Sequence, residues 1–345
     1  MPSREIIVNA SSGRYAVTIG AGVRKKLPEV VGALSPRRVA VVADQALAET
    51  HLPAVAALVP GEVHTVTFPG GEEHKNLESV ARLLEFLAER NFTRSDLVVA
   101  LGGGITGDVA GFTAATYLRG IRVVQMPTTF LSAIDSSVGG KTGVNLPQGK
   151  NLCGAFWQPS AVLCDTDFLQ TLPRRILLDG VAEAVKCGMI RDEALFDLLE
   201  KPDALETSLE EVIARCVALK ADVVAGDEFD RGDRALLNFG HTIGHAVEKC
   251  TNFAIPHGQA VAIGMVRMTQ IAETQGWCVP GCAERLCAVL RRYELPIEVP
   301  GDWQALLAAM AHDKKRSGDT LTIVTPERIG HCVRRTIALS EWERL

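Results

Sequence analysis

Asp96-Leu97-Val98-Val99-Ala100-Leu101-Gly102-Gly103-Gly104-Ile105-Thr106-Gly107-Asp108 is the stretch on which the fold turns. A short apolar, β-branched run leads directly into a glycine-rich turn, and small residues follow in a helical register. Such a turn needs the backbone freedom of glycine and leaves unpaired amides at the start of the next helix, where they attract an anion such as a pyrophosphate. The spacing departs from the usual Gly-x-Gly-x-x-Gly fingerprint and does not follow the first strand, so close helix–strand packing remains a second explanation. Residues 97–118 carry a single formal charge, Asp108, over a length near the roughly 20 residues that cross a bilayer. Gly102, Gly103, Gly104, Gly107 and Gly111 interrupt that run, which therefore reads as strand, turn and helix and not as a membrane span.

Outward from this turn, short β-branched runs at 38–43, 62–68, 121–126 and 161–164 alternate with helical periods such as 76–90. The alternation predicts an α/β Rossmann-like domain, a parallel sheet covered by helices, over residues 1–171. From 172 to 345 the period becomes helical, at 174–190, 209–224, 234–249, 258–274, 283–292 and 303–312, with strand-like runs only at 320–325 and 332–337. A mostly α-helical second domain is expected there, joined by a short connection over a shared cleft.

The composition is 47% hydrophobic, and 36 basic residues against 41 acidic ones leave a net charge of −5 with no charged tail or basic stripe, which argues against a nucleic-acid partner. Nine cysteines without paired spacing, and an N-terminus without the pattern of a secretory signal, predict reduced thiols in the cytoplasm. Cys278 and Cys282, in Cys-Val-Pro-Gly-Cys, admit a redox or metal pair, but buried thiols are the expected reading.

Asp44 ends the run 38–43, where a carboxylate can accept hydrogen bonds from a ribose. Pro69-Gly70-Gly71-Glu72-Glu73-His74-Lys75 ends another strand at the same carboxyl edge, although alone it would pass for a solvated turn. Between the sheet and the helices lie Asp135-Ser136-Ser137-Val138-Gly139-Gly140-Lys141-Thr142-Gly143 and Gly149-Lys150-Asn151. The position where a P-loop has its first glycine is Asp135, which weakens an NTPase reading. Lysines and an asparagine on a glycine-rich loop nevertheless suit a phosphate.

Arg234, Asn238, His241 and His245 are spaced four, three and four apart, which predicts one face of a helix over 234–249. Leu236, Phe239, Ile243 and Val247 form the other face, so an amphipathic surface helix would look the same. Gly240 and Gly244 imply that something comes close. His257 follows in Ile-Pro-His-Gly, and Glu183 lies in Gly-Val-Ala-Glu-Ala-Val-Lys. Two histidines and a glutamate with an open position suit a catalytic zinc. Spacing favours His241 with His245 as the histidine pair, whereas His241 with His257 requires two helices to converge.

Gly-Gly-Gly-x-x-Gly-Asp, Pro127-Thr128-Thr129, Asp-Ser-Ser-Val-Gly-Gly-Lys-Thr-Gly, Gly-Lys-Asn, Ala-Glu-Ala-Val-Lys, Leu-Asn-Phe-Gly-His-Thr-Ile-Gly-His and Pro-His-Gly occur in this order. With them the chain resembles the 3-dehydroquinate synthases of the sugar-phosphate cyclase superfamily, over roughly residues 44–325. The resemblance implies an NAD-binding α/β domain, a helical metal domain and a homodimer with catalysis in the cleft between the domains. It makes Glu183, His241 and His257 the ligands of zinc, or of cobalt, and leaves His245 as a catalytic neighbour of the phosphate. It places Asp44, Glu72, Lys75, Gly103, Gly104, Asp108, Thr128 and Thr129 against NAD, with Lys150 serving either ligand. It places Asp135, Lys141, Asn151, Lys186, Lys220, Arg234, Asn238 and one of Lys314 and Lys315 on the substrate, and it matches Arg119 to an arginine that reaches the neighbouring subunit's phosphate site.

The implied chemistry converts 3-deoxy-D-arabino-heptulosonate 7-phosphate to 3-dehydroquinate and phosphate, a step of the shikimate pathway to aromatic amino acids. Transient oxidation by NAD precedes loss of phosphate, and re-reduction precedes intramolecular aldol closure. Three rivals remain open. A sister sugar-phosphate cyclase would change the polar pocket residues, a metal-dependent polyol dehydrogenase would consume NAD, and a non-catalytic descendant would have lost metal ligands.

Overall fold

Strand β3 (Arg38–Asp44) shows how the sheet is built. Val39, Val41 and Ala43 belong to one core with Leu27, Val31, Leu52 and Val55, while Ala40 and Val42 belong to another with Val80, Leu83, Leu87, Val109 and Phe112. Successive side chains of a strand point to opposite faces, so both faces are covered and the strand is apolar throughout, as a parallel sheet requires. The computed structural model describes residues 3–345 apart from 253, 302, 304–305, 307–319 and 343.

Two compact units emerge: Met1–Pro173 with Lys220–Phe229, and Arg174–Leu219 with Asp230–Leu345. The first unit contains β1 (Arg4–Ala10), β2 (Gly13–Gly20), β3, β4 (Glu62–Phe68), β5 (Leu97–Gly102), β6 (Arg122–Pro127), β7 (Lys141–Leu146), β8 (Gly149–Phe156) and β9 (Ala161–Asp165). Seven of these form a sheet ordered β1-β2-β9-β6-β5-β3-β4, parallel except for the β1–β2 hairpin at one edge. Helices α1 (Leu27–Leu34), α2 (Leu52–Ala56), α3 (Leu77–Glu89) and α4 (Gly104–Thr116) cover it. From β3 the chain moves outward to β4 and then returns across β3 to β5, so the strand order reverses between β3 and β5. The carboxyl ends of strands at such a reversal form the usual ligand crevice of an open α/β sheet, and here they are Asp44 and Gly102-Gly103-Gly104.

The lysine-bearing stretch expected as a loop is more ordered. A π-helical turn, Ser132–Ser136, leads into the antiparallel hairpin β7–β8. Its glycines are demanded by the pairing, since a side chain at Gly154 would overlap the Thr142 backbone across the ladder.

The second unit is helical, with α5 (Arg174–Arg191), α6 (Glu193–Leu199), α7 (Ala204–Thr207), α8 (Leu209–Gly226), α9 (His241–Cys250), α10 (His257–Thr274) and α11 (Cys282–Arg292). The division between units runs through α8 at Leu219 and Lys220. A hairpin of β10 (Thr320–Arg328) and β11 (His331–Ala338) and a final turn, α12 (Leu339–Trp342), complete the second unit. Most of the helix expected over 303–312 falls outside the described residues. Among the described residues, no helix is long and apolar enough to cross a membrane.

One expectation fails. Residues 234–249 are not a single helix, because a 3₁₀ turn, Asp233–Asn238, ends at Phe239 and α9 begins only at His241. Gly240 causes the break: its φ of 79° is left-handed, and a β-carbon there would meet Met265 and the Val261 carbonyl. The glycines are explained by packing of α9 on α10. Gly244 faces the Ala260 carbonyl, and Gly264 faces the Gly240 carbonyl.

Candidate functional site

In the first unit, the crevice begins with close backbone approach. A side chain at Gly102 would collide with Thr106, one at Gly103 would crowd Thr129, and one at Gly104 would reach Ser136 Oγ at 3.0 Å. Gly103 caps α4, whose first amides are therefore open to an anion. Thr128 donates its backbone N–H to the Gly102 carbonyl at 2.9 Å, and Thr129 Oγ1 lies 2.8 Å from Ser132 Oγ. Asp44 accepts the Ala46 amide at 2.8 Å, and a side chain at Gly70 would strike its carboxylate, so the Pro69–Gly70 turn lies against it.

Lys75 organises the rest. Its buried ammonium is 2.6 Å from Asp108 Oδ2 and donates to Asn151 Oδ1 at 2.6 Å. Burial pushes the Asp108 carboxyl up to about 6, against the opposing pull of Lys75 and Lys220. Asn145, which sequence reasoning missed, ties this group together. Its Nδ2 donates to Glu72 Oε1 at 2.8 Å, its backbone N–H donates to the Lys75 carbonyl at 2.8 Å, and its Oδ1 accepts the Asn151 amide at 2.9 Å. The signal available was its position just after Lys-Thr-Gly on β7. Lys75 and Asn151, expected on different ligands, are thus hydrogen-bonded neighbours. Lys220 donates to both the carbonyl and Oδ1 of Asp135, at 2.6 and 2.7 Å. Lys141, Lys150 and Asn151 are exposed on the hairpin, and Asn151 holds a φ of 56°.

Arg119 is exposed at the end of the 3₁₀ turn, Tyr117–Arg119, that follows α4. Leu118 and Arg119 both have left-handed backbone, with φ of 50° and 66°. Two adjacent non-glycine residues in that region store strain of the kind concentrated at functional positions. Lys314 and Lys315 lie outside the described residues.

In the second unit, α5 presents Glu183, α9 presents His241 from its first turn, and α10 presents His257 as its first residue. Glu183 Oε1 is 3.5 Å from Nε2 of both His241 and His257, and one ligand atom from each of the three falls within 4.8 Å of the others. The remaining ring nitrogens face outward: His241 Nδ1 is 3.2 Å from the Phe239 carbonyl, and His257 Nδ1 is 3.5 Å from Glu248 Oε2. Metal-bound histidines are oriented in this way, with the second nitrogen donating to a carbonyl or carboxylate. Among the described residues, neither carboxylate oxygen of Glu183, 2% exposed, makes a hydrogen bond, and the Lys186 ammonium forms an ion pair with Oε2. One ammonium only partly offsets the cost of burying this carboxylate, and a divalent cation would offset it further. The residues present fit a tetrahedral His₂Glu site with one open position.

The electrostatics agree. Although burial opposes ionisation of Glu183, Lys186, His241 and His257 hold it well below the usual carboxylate range. Burial, helped by Lys186, pushes the His241 imidazole down to about 3, which leaves it neutral and able to ligate. Burial would lower His257 too, but Glu183 and Glu248 overcome it and hold that ring at about 10. His257, Glu248 and His245 form an overlapping group within the same 4.8 Å limit, which presents His257 with a second carboxylate. Glu248 was not anticipated from sequence; it lies about one helical turn beyond His245.

His245 is exposed on α9, stacked on His257 at 6.0 Å between ring centroids. The pair favoured by spacing, His241 with His245, is not the one that meets Glu183. Arg234 is 2% exposed, Asn238 is exposed, and both precede the break at Gly240. Asp179, one turn before Glu183, accepts the Gly258 amide at 2.7 Å and so anchors the start of α10 to α5.

Residues 65–179 match the family model for the 3-dehydroquinate synthase N-terminal domain, and residues 180–316 match that for the C-terminal domain. A 3-dehydroquinate synthase of Arthrobacter sp. is 41% identical over 333 residues, 93% of this chain and 90% of the relative. A protein of Amycolatopsis mediterranei that carries the name aminodehydroquinate synthase is 46% identical over 315 residues, 90% of this chain and 85% of the relative. The crystal structure of a 2-deoxy-scyllo-inosose synthase complexed with carbaglucose-6-phosphate, NAD⁺ and Co²⁺ superposes with a TM-score of 0.89 at 27% identity, covering 99% of this chain and 98% of that one. The chain belongs to the 3-dehydroquinate synthase family.

Proposed function

We infer that the chain is the enzyme that converts 3-deoxy-D-arabino-heptulosonate 7-phosphate to 3-dehydroquinate and phosphate in the shikimate pathway. The observation that carries the reading is the convergence of Glu183, His241 and His257, with a buried carboxylate at its centre, in a chain of this family. When bound, NAD takes a hydride from the substrate and returns it, and zinc or cobalt on those three residues acidifies the substrate hydroxyls.

The remaining roles belong to the chain's own side chains. Asp44, Glu72, Lys75, Gly103, Gly104, Asp108, Thr128, Thr129 and Lys150 hold the dinucleotide, with the Gly103-capped helix start facing its pyrophosphate. Lys141, Asn151 and Arg119 neutralise charge on the departing phosphate, which itself takes the proton from the carbon next to the oxidised centre. The exposed His245 imidazole hydrogen-bonds that phosphate. Asp135, Lys186, Lys220, Arg234, Asn238 and Lys314 orient the carboxylate and hydroxyls. The working form is a cytoplasmic homodimer in which Arg119 serves the neighbouring subunit; its exposure and strained backbone support that role.

The test is release of inorganic phosphate from the heptulosonate phosphate by the NAD- and zinc-loaded protein, with no net NADH. A second reading, formation of aminodehydroquinate, is favoured by the 46% identity to the Amycolatopsis protein. Phosphate release only from the amino-substituted heptulosonate phosphate would select it. Accumulating NADH would instead point to a dehydrogenase.

A further inference from the structure

The far end of α10 gathers a second set of donors. Helix α10 starts at His257, and Glu273 lies in its last turn, 16 residues or about 24 Å along the axis at 1.5 Å per residue. There Glu273, Cys278 and Cys282 bring a carboxylate oxygen and two sulfurs within 4.8 Å of one another. Both cysteines are buried, at 6% and 4% exposure. The backbone fixes each donor. The N–H groups of Trp277 and Cys278 both bond the Ala272 carbonyl, Val279 N–H bonds the Glu327 carbonyl on β10, and Glu273 Oε1 accepts the Ala283 amide at 2.9 Å. Cys282 is the first residue of α11, behind Gly281 at φ 93°.

We propose that Glu273, Cys278 and Cys282 form a structural site for a thiophilic divalent cation of the zinc type, separate from the His₂Glu site. Two sulfurs and one carboxylate select zinc over magnesium or calcium, which take oxygen ligands. The buried thiol of Cys332 on β11 donates to the Met189 carbonyl at 3.4 Å and is not one of the three donors, so the fourth position is left to water. An ion there would fasten the end of α10 to the start of α11. Each binding event would release the protons of Cys278 and Cys282. Burial and the neighbouring Cys282 push the Cys278 thiol up to about 12, so without an ion it is a neutral, unreactive thiol and a redox role is disfavoured.

The test loads the full-length, metal-stripped protein with Co²⁺ alone and, separately, with Zn²⁺ alone. The His₂Glu site contains no sulfur, so a thiolate-to-cobalt charge-transfer band in the near ultraviolet reports only the second site. The expected result is that band together with two zinc equivalents per chain, falling to one equivalent and no band in the Cys278→Ser/Cys282→Ser variant. His257→Ala should keep the band, and Cys287→Ser should keep both band and stoichiometry. A cobalt-loaded wild type without the band overturns the proposal whether or not any variant folds. So does loss of the band in Cys287→Ser.

Discussion

Gly264→Ala is the sharpest perturbation of the relation between α9 and α10. A β-carbon at Gly264 would lie 2.0 Å from the Gly240 carbonyl oxygen, 2.9 Å from its carbon and 2.9 Å from the Gly244 nitrogen. All three are backbone atoms, so no rotamer change can clear them. Carbon–oxygen contacts need about 3.3 Å, so the helices must separate by about 1.3 Å at this point. Overpacking of this kind costs about 1–3 kcal/mol, and each kcal/mol lowers Tm by about 2–4 °C in a unit of this size. His241 opens α9 and His257 opens α10, so the separation changes the distance between two ligands. Metal geometry tolerates only about 0.2 Å, and zinc affinity should fall by at least the roughly 10–100-fold seen when outer-sphere partners are lost. Zinc competition titration and a thermal scan measure both effects. Gly226→Ala, where a β-carbon meets open space, is the control. A Gly264→Ala protein with wild-type zinc affinity and melting temperature would refute the claim that this crossing positions the ligands.

His257→Ala should abolish zinc retention, whereas His245→Ala should keep the ion and lower kcat; equal zinc content in wild type and the His257 variant, by elemental analysis, would contradict the ligand assignment. Because Glu183 is already ionised, His241 already neutral and His257 held protonated up to about 10, zinc binding at the His₂Glu site near neutral pH should release one proton from these three ligands, and affinity should rise about tenfold per pH unit up to that value. Calorimetry on the Cys278→Ser/Cys282→Ser variant in buffers of different ionisation enthalpy counts that proton; zero or two would be the wrong number. For Asp108, the folded carboxyl at about 6 lies above its ordinary 3.8, so its stabilising contribution is present at low pH and is lost as pH rises through that window. Lys75→Met removes an attracting charge and should move the upper limit above 6, read by NMR titration of the carboxyl carbon; a fall would show that Lys75 is not its principal partner.

The parallel strands were legible because burial on both faces leaves a continuous β-branched run, as in Val39–Val42, with glycine or an acid where the strand meets the ligand edge. The hairpins were harder. On β7–β8 the glycines that allow close pairing at Gly143 and Gly154 erase the alternation a strand normally shows, and the exposed lysines make the segment look like a loop. The β1–β2 hairpin at the sheet edge went unnoticed for a related reason: β1 is largely exposed, so its pattern is diluted. The return of Lys220–Phe229 to the first unit is also invisible locally, since α8 keeps one helical period across the division.

The metal ligands show where periodicity stops being informative. Spacing identified a face carrying Arg234, Asn238, His241 and His245, but a left-handed residue at Gly240 changes the chain direction between the second and third of these. What then selects His257 over His245 is the contact that Gly240, Gly244 and Gly264 permit between two helices, a tertiary fact that no single helical pattern encodes. The glycines were the available clue, since mid-helix glycine is costly unless backbone must approach backbone. That approach points His257 Nε2 at Glu183 while its other nitrogen faces Glu248. The two carboxylates therefore have different tasks: Glu183, ionised beside Lys186, supplies the ligand, and Glu248 holds the ring that completes it. Replacing Glu248 by Gln should weaken zinc binding by about 10–100-fold without abolishing it and lower the pKa of His257, whereas replacing Glu183 by Gln should eliminate binding altogether, as zinc titration of the two variants would show.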